Sequence, residues 1–84
     1  MRIKVRASLR GIKSGLEARA PSLEVVAHGS SEQDALEALR VAIRVWSRCL
    51  QRVGRLEAAL AARGVLWEPT DDGIDVDLLV DSSV

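Results

Sequence analysis

Aromatic residues are almost absent from this chain of 84 residues, which contains two Trp and no Phe or Tyr. Its core must therefore be built from Leu, Val, Ile and Ala, and the aromatic platform on which single-stranded nucleic acid stacks is not available. The chain has one Cys and one His. An intramolecular disulfide is thus excluded, and a structural zinc site is not expected. A lone thiol fits a reducing cytoplasm.

Long hydrophobic runs are absent too, since no segment approaches the roughly 20 apolar residues that a membrane helix needs. The first six residues alternate charged and apolar side chains, so they lack the apolar centre of a signal peptide. With 48% hydrophobic and 29% charged residues, the composition is that of an ordinary globular protein. We predict a single cytoplasmic domain over residues 1–84, with no membrane segment.

The formal net charge is zero, but the charges are unevenly distributed. Residues 1–20 contain six basic side chains and one acidic one, whereas residues 64–84 contain six acidic side chains and no basic one. This asymmetry can mark a nucleic-acid surface or an acidic segment that binds a partner. It can also mean that the two ends of the chain neutralise each other in the fold.

The N-terminal third has the pattern of three strands. Strict alternation of apolar and polar residues over Arg2–Arg10 predicts a strand with one buried face. A second strand is predicted over Leu16–Ala20, where Pro21 ends it because proline donates no hydrogen bond to a sheet. A third strand is predicted over Leu23–His28.

A long helix is predicted from Glu32, because the Ser31 hydroxyl can cap the Asp34 amide; a capping box of Ser30 and Gln33 is the alternative. Apolar residues then recur at helical spacing, and small apolar residues beside them make the apolar surface wider than packing on one sheet requires. The surplus is expected to contact a second copy of the chain, giving a homodimer or tetramer. The predicted oligomer interface consists of Val45, Trp46, Cys49, Leu50 and Val53.

Gly54 interrupts the helical pattern, so a kink or short break is predicted there, followed by a second helical piece to Arg63 with Gly64 as its C-terminal cap. A short strand over 65–68, a turn over 69–73 and a final strand over 74–81 complete the chain. The predicted C-terminal part, residues 55–81, is therefore a helical extension and a strand pair.

The order of strand, Pro21 turn, strand, Gly29-Ser30-Ser31 and helix entry at Asp34-Ala35-Leu36 resembles the core of the HicB-like antitoxin family, over about residues 1–50. The resemblance implies a reduced ribonuclease-H-like α/β (α+β) fold. In it, three antiparallel strands precede a long helix on one face of the sheet, and a C-terminal strand lies beside the first, in the order 3-2-1-4.

The resemblance also implies a function. Family members typically neutralise a small basic ribonuclease toxin in bacterial toxin–antitoxin systems, so we expect a protein-binding module of type II antitoxin character. We do not expect an enzyme, and no cofactor or metal is implied. The acidic C-terminal segment is the expected contact with a basic toxin, and its predicted partner-binding residues are Asp71, Asp72, Asp75, Asp77 and Trp67.

Two alternatives remain open. The chain can be a stand-alone homo-oligomer of the same fold without a toxin partner. A weaker alternative is nucleic-acid binding by Arg2, Lys4, Arg6 and Arg10 of the first strand, together with Arg40, Arg44, Arg48 and Arg52 of the helix. If the last strand lies beside the first, however, Asp75, Asp77 and Asp81 share the face of the first-strand bases, an arrangement that we favour over phosphate binding. The helical arginines are either solvated, which we favour, or in contact with acidic side chains of the C-terminal segment or of a partner.

Overall fold

A five-stranded mixed sheet forms one layer of the protein, and a long helix packs on one of its faces. The computed structural model describes residues 1–71 and 73–81. The elements in chain order are β1 (Arg2–Ile12), β2 (Gly15–Ala20), a 3₁₀ turn (Pro21–Leu23), β3 (Val25–Gly29), α1 (Glu32–Arg52), α2 (Leu56–Ala62), β4 (Leu66–Glu68) and β5 (Asp75–Asp81). The predicted fold class is confirmed.

Strand β1 is the centre of the sheet. Its C-terminal half pairs antiparallel with β2, which in turn pairs antiparallel with β3, while its first residues pair antiparallel with β4. Strand β5 pairs in parallel with β1 over residues 2–8. Because residues 2–4 are paired on both sides, β4 and β5 lie on opposite edges of β1. The predicted order 3-2-1-4 is confirmed, and so is a final strand beside the first.

The hydrophobic core lies between α1 and the sheet. Every second residue of the strands and every third or fourth residue of α1 contributes to it, as the two periodicities require. Its principal side chains are Ile3, Val5, Ala7, Ala18, Ala20, Ala35, Leu39, Ile43, Val76 and Leu78. Both tryptophans are partly buried against this cluster, and the Arg63 guanidinium lies 5.7 Å from the centroid of the Trp46 ring, a distance at which cation–π attraction operates.

Helix α1 begins at Glu32 with Ser31 as its cap, as predicted. The Ser31 hydroxyl accepts a hydrogen bond from the Asp34 amide at 3.2 Å, and the Ser30 hydroxyl donates to the Asp34 carboxylate at 2.7 Å. The carboxylates of Glu32 and Asp34 lie in the first turn, where the positive end of the helix dipole favours them.

The predicted break after α1 is confirmed. Gly54 adopts a left-handed conformation with φ of 68°, which a residue with a β-carbon rarely adopts. The chain therefore changes direction before α2, and Leu56 and Leu60 are buried in the core. A second left-handed residue, Gly64, follows the end of α2.

The predicted start of the third strand is wrong by two residues. The chain forms a 3₁₀ turn at Pro21–Leu23, and Glu24 takes a left-handed conformation with φ of 57° before β3 begins at Val25. Proline has a fixed φ that suits the first position of such a turn. The turn carries Leu23 into the core, where its side chain is 2% exposed.

Candidate protein-binding surfaces

In the described part of the chain, one face of the sheet has no helix packed against it. The strand residues that alternate with the core residues form this surface, here called the open face. The strand registers place on it Arg2, Lys4, Arg6, Ser8, Arg10, Glu17, Arg19, Val26, His28, Leu66, Glu68, Asp75, Asp77, Leu79 and Asp81.

The open face is balanced in charge, with five Lys or Arg and five Asp or Glu side chains. Arg2 lies opposite Asp75 and Lys4 lies opposite Asp77, while Ser8 lies opposite Asp81. The prediction that these aspartates share the face of the β1 bases is therefore confirmed. Cross-strand neighbours of opposite charge contribute about 0.2–1 kcal/mol each, and a balanced face differs from the basic surfaces that follow a phosphate backbone.

Glu17 is the most enclosed charge on the open face. Its side chain is 10% exposed, and its Oε1 lies 3.1 Å from an Arg10 guanidinium nitrogen and 3.3 Å from Arg19 Nε. The His28 ring lies 3.4 Å from Oε2. Burial raises the pKa of this carboxyl, but the hydrogen bond to His28 and the charges of Arg10 and Arg19 together outweigh it, so the pKa lies below its ordinary value.

We expect the stability that Glu17 confers to depend on pH. Because its pKa is lowered in the folded protein, the contribution is complete above the ordinary glutamate pKa of about 4.3 and is lost as the pH falls through the folded value. Glu17→Gln should therefore reduce the free energy of unfolding at pH 7, and its difference from the unsubstituted protein should shrink below about pH 4. Urea unfolding followed by circular dichroism across this range measures both effects.

The control for this experiment is Glu57→Gln, which removes an exposed carboxylate on α2. This substitution should change the free energy of unfolding by no more than about 0.5 kcal/mol at pH 7. A difference between Glu17→Gln and the unsubstituted protein that stays constant between pH 7 and pH 3 would contradict the stated role of Glu17.

A second ion pair joins β1 and β4. Lys4 Nζ lies 2.7 Å from Glu68 Oε1, and both side chains are partly exposed. The hydrogen bond and charge of Lys4 lower the pKa of Glu68 against the opposing effect of burial, and the charge of Arg2 adds to the lowering. Exposed pairs of this kind contribute little to stability. The pair nevertheless directs the Lys4 ammonium to Glu68 of β4 and not to Asp77, its neighbour on β5.

Of the predicted acidic partner-binding residues, Asp75 and Asp77 lie on β5, and Asp71 lies in the segment between β4 and β5. Asp71, Asp75 and Asp77 are exposed, and within residues 1–71 and 73–81 none of them has an ion-pair partner within 4.0 Å. Asp75 and Asp77 point from an edge strand, because β5 pairs only with β1 among the described strands. Asp72, the fourth predicted aspartate, lies outside the described residues.

The predicted partner-binding residue Trp67 is on the other side of the sheet. It lies opposite Ile3 in the β1–β4 register, so it faces the core, against which it is partly buried. The structure therefore brings Asp75 and Asp77 together on the open face and separates Trp67 from them.

A pocket of about 370 Å³ is lined by open-face side chains of β1, β4 and β5 together with Ser22, Gly64 and Val65. Leu66 and Leu79 line it with exposed fractions of 73% and 53%, and Lys4 and Arg6 lie between them. Neither leucine belongs to the predicted sites. The sequence could have indicated that Leu79 is exposed, because it lies two residues after Asp77, at a position of the alternation that otherwise carries aspartates.

The outer surface of α1 is the second apolar surface. The predicted interface residues Val45 and Val53 are 55% and 64% exposed, and Cys49 is exposed as well. Trp46 and Leu50, from the same predicted set, are only partly exposed and pack against the core. Val41, 48% exposed, lies one helical turn before Val45 and extends this surface. It was not predicted, although its spacing of four residues from Val45 is the relevant signal.

Among the described residues, no group of three or more His, Cys, Asp or Glu side chains is placed to hold a metal ion. The described helices include none with the length and apolar character needed to cross a membrane.

Comparisons with protein-family models, with curated proteins and with solved structures give no match to this chain.

Proposed function

We propose that this protein is a cytoplasmic protein-binding module of the HicB-like antitoxin type, which masks a small basic protein such as a ribonuclease toxin. The observation that carries the proposal is the position of Asp75 and Asp77, both exposed on an edge strand and without an ion-pair partner within 4.0 Å among the described residues. Asp71, in the segment between β4 and β5, is a third exposed carboxylate.

The edge of β5 supports this function in a second way. An edge strand presents main-chain N–H and C=O groups that an extended segment of a partner can pair with, and the side chains at alternate positions then decide which segment fits. Asp75 and Asp77 disfavour pairing with another acidic strand such as a second β5, because like charges would meet. They favour a partner segment with Lys or Arg at alternate positions, and complementary charges also accelerate the encounter.

The balanced open face favours this function over nucleic-acid binding. The bases of β1 lie beside acidic side chains of β2, β4 and β5, so a phosphate backbone following β1 would approach those acids as well. A partner that approaches from the β5 edge instead meets the aspartates first.

The test is affinity capture with the tagged chain from a nuclease-treated lysate of the source cells. The unsubstituted protein should retain a small basic protein in stoichiometric amount, and the double variant Asp75→Asn, Asp77→Asn should lose it. The matched control, Glu32→Gln with Glu57→Gln, removes two exposed carboxylates on the helices and should retain it. Equal retention by the aspartate variant, or recovery of this chain alone, would refute the proposal.

A further inference from the structure

The outer surface of α1 carries a second repeat of the kind that pairs helices. Counting four and three residues alternately from Asp34 gives a row on the side of the helix opposite the buried residues Leu39 and Ile43. The row consists of Asp34, Ala38, Val41, Val45, Arg48 and Arg52. Ala38 is partly exposed and the other five are exposed, so this row is accessible in the described chain.

The row is apolar at its centre and oppositely charged at its two ends. Val41 and Val45 form the centre, Asp34 lies at the N-terminal end, and Arg48 and Arg52 lie at the C-terminal end. Neither arginine has an ion-pair partner within 4.0 Å in the part of the chain that the structure describes. Ser30 donates to the Asp34 carboxylate, an interaction that leaves the negative charge in place.

This arrangement is complementary to itself when one copy is reversed. In an antiparallel pair centred between Val41 and Val45, each Val41 lies opposite the Val45 of the other copy, and each Asp34 lies opposite an Arg52. A parallel pair would instead place Arg48 on Arg48 and Arg52 on Arg52. Like charges at such positions are destabilising, so the charge pattern selects the antiparallel arrangement.

We propose that α1 binds a second copy of this chain through this row, as an antiparallel helix pair related by a two-fold axis between Val41 and Val45. A two-fold interface uses the same surface on both copies, and the row meets that requirement. Arg44 lies near the two-fold axis on one side of the row, so the contact between the two helices extends toward the other side, which carries Ala42 and Cys49. Their small side chains allow the two helices to approach closely.

This proposal does not depend on the proposed function. The α1 row and the open face lie on opposite layers of the molecule, so a dimer formed through α1 leaves both β5 edges accessible. The two surfaces can therefore be occupied at once, with one partner molecule bound to each copy.

Cross-linking tests the geometry directly. In a Cys49→Ser background, Ala38→Cys in one protein and Arg48→Cys in another would lie opposite each other in the antiparallel pair. Two copies of the same position would be about 15 Å apart along the axis, at 1.5 Å per residue, which is too far for a disulfide. Mild oxidation of the mixture should therefore give a covalent dimer, and oxidation of either variant alone should not.

Sedimentation equilibrium supplies the second measurement. Val45→Glu should weaken dimerisation at least tenfold, because it brings a carboxylate to the apolar centre on each side of the axis. The matched control is Leu66→Glu, at an apolar residue 73% exposed on the open face, which should leave the dimer unchanged. Both positions are exposed, so circular dichroism should show both variants folded.

Three results would overturn the proposal. They are a monomer at every concentration, covalent dimers in the samples of a single variant, and a dimer that Val45→Glu leaves intact. The second result would indicate parallel pairing, and the third would indicate that the copies meet through another surface.

Discussion

Replacing Gly29 by alanine should lower the free energy of unfolding by about 2–3 kcal/mol, the upper part of the range for overpacked positions. Gly29 ends β3, and a β-carbon built on it would lie 2.3 Å from the main-chain nitrogen of Ala35 and 2.8 Å from its Cα. These atoms belong to the backbone of α1 and cannot rotate away as a side chain can. The first turns of α1 would have to move off the sheet, disturbing the packing of Ala35 and Leu39.

The matched control is Gly11→Ala. Gly11 also lies in a strand, but a β-carbon there would have no heavy atom within 4 Å, so this variant should remain within about 0.5 kcal/mol of the unsubstituted protein. Urea unfolding followed by the fluorescence of the two tryptophans measures both variants. Equal stability of Gly29→Ala and Gly11→Ala would show that α1 does not approach β3 as closely as the structure places it.

Most of this fold could be predicted from the sequence, because the local patterns that favour each strand and helix agree with the tertiary contacts that the structure forms. The alternation in β1, the cap at Ser31 and the interruption at Gly54 each depend on residues within one or two turns of chain, and the structure follows all three. The start of β3 was wrong because Glu24 adopts a left-handed conformation, which brings Leu23 into the core. That gain comes from contacts distant in sequence, which a local pattern does not contain.

The surfaces were predicted less completely, for the same physical reason. The common face of the aspartates and the β1 bases follows from alternation once β5 is placed beside β1. The enclosure of Glu17, in contrast, depends on the β2–β3 register, which brings His28 opposite it. The position of Trp67 likewise depends on the β1–β4 register, which places Trp67 opposite Ile3. No charge pattern in the sequence indicates that register.

Ser47→Ala should raise the free energy of unfolding by about 1–2 kcal/mol, since a buried polar group without a partner costs about 1–3 kcal/mol. Ser47 faces the core from α1 with 0% exposure, and its hydroxyl oxygen has no hydrogen-bond partner within the described structure. Alanine removes that hydroxyl and also favours the helix more than serine does. For a domain of this size, each kcal/mol corresponds to a rise in Tm of about 4–8 °C.

The control must separate the buried hydroxyl from helix propensity. Ala58→Ser makes the reverse change at an exposed position of α2, where only propensity acts, and should cost about 0.5 kcal/mol. Calorimetric unfolding of the two variants and the unsubstituted protein gives both differences under identical conditions. If the gain from Ser47→Ala exceeds the loss from Ala58→Ser, the excess measures the cost of the unpaired hydroxyl. If Ser47→Ala raises the free energy of unfolding by no more than Ala58→Ser lowers it, the Ser47 hydroxyl is hydrogen-bonded in solution, to a carbonyl of the preceding turn of α1.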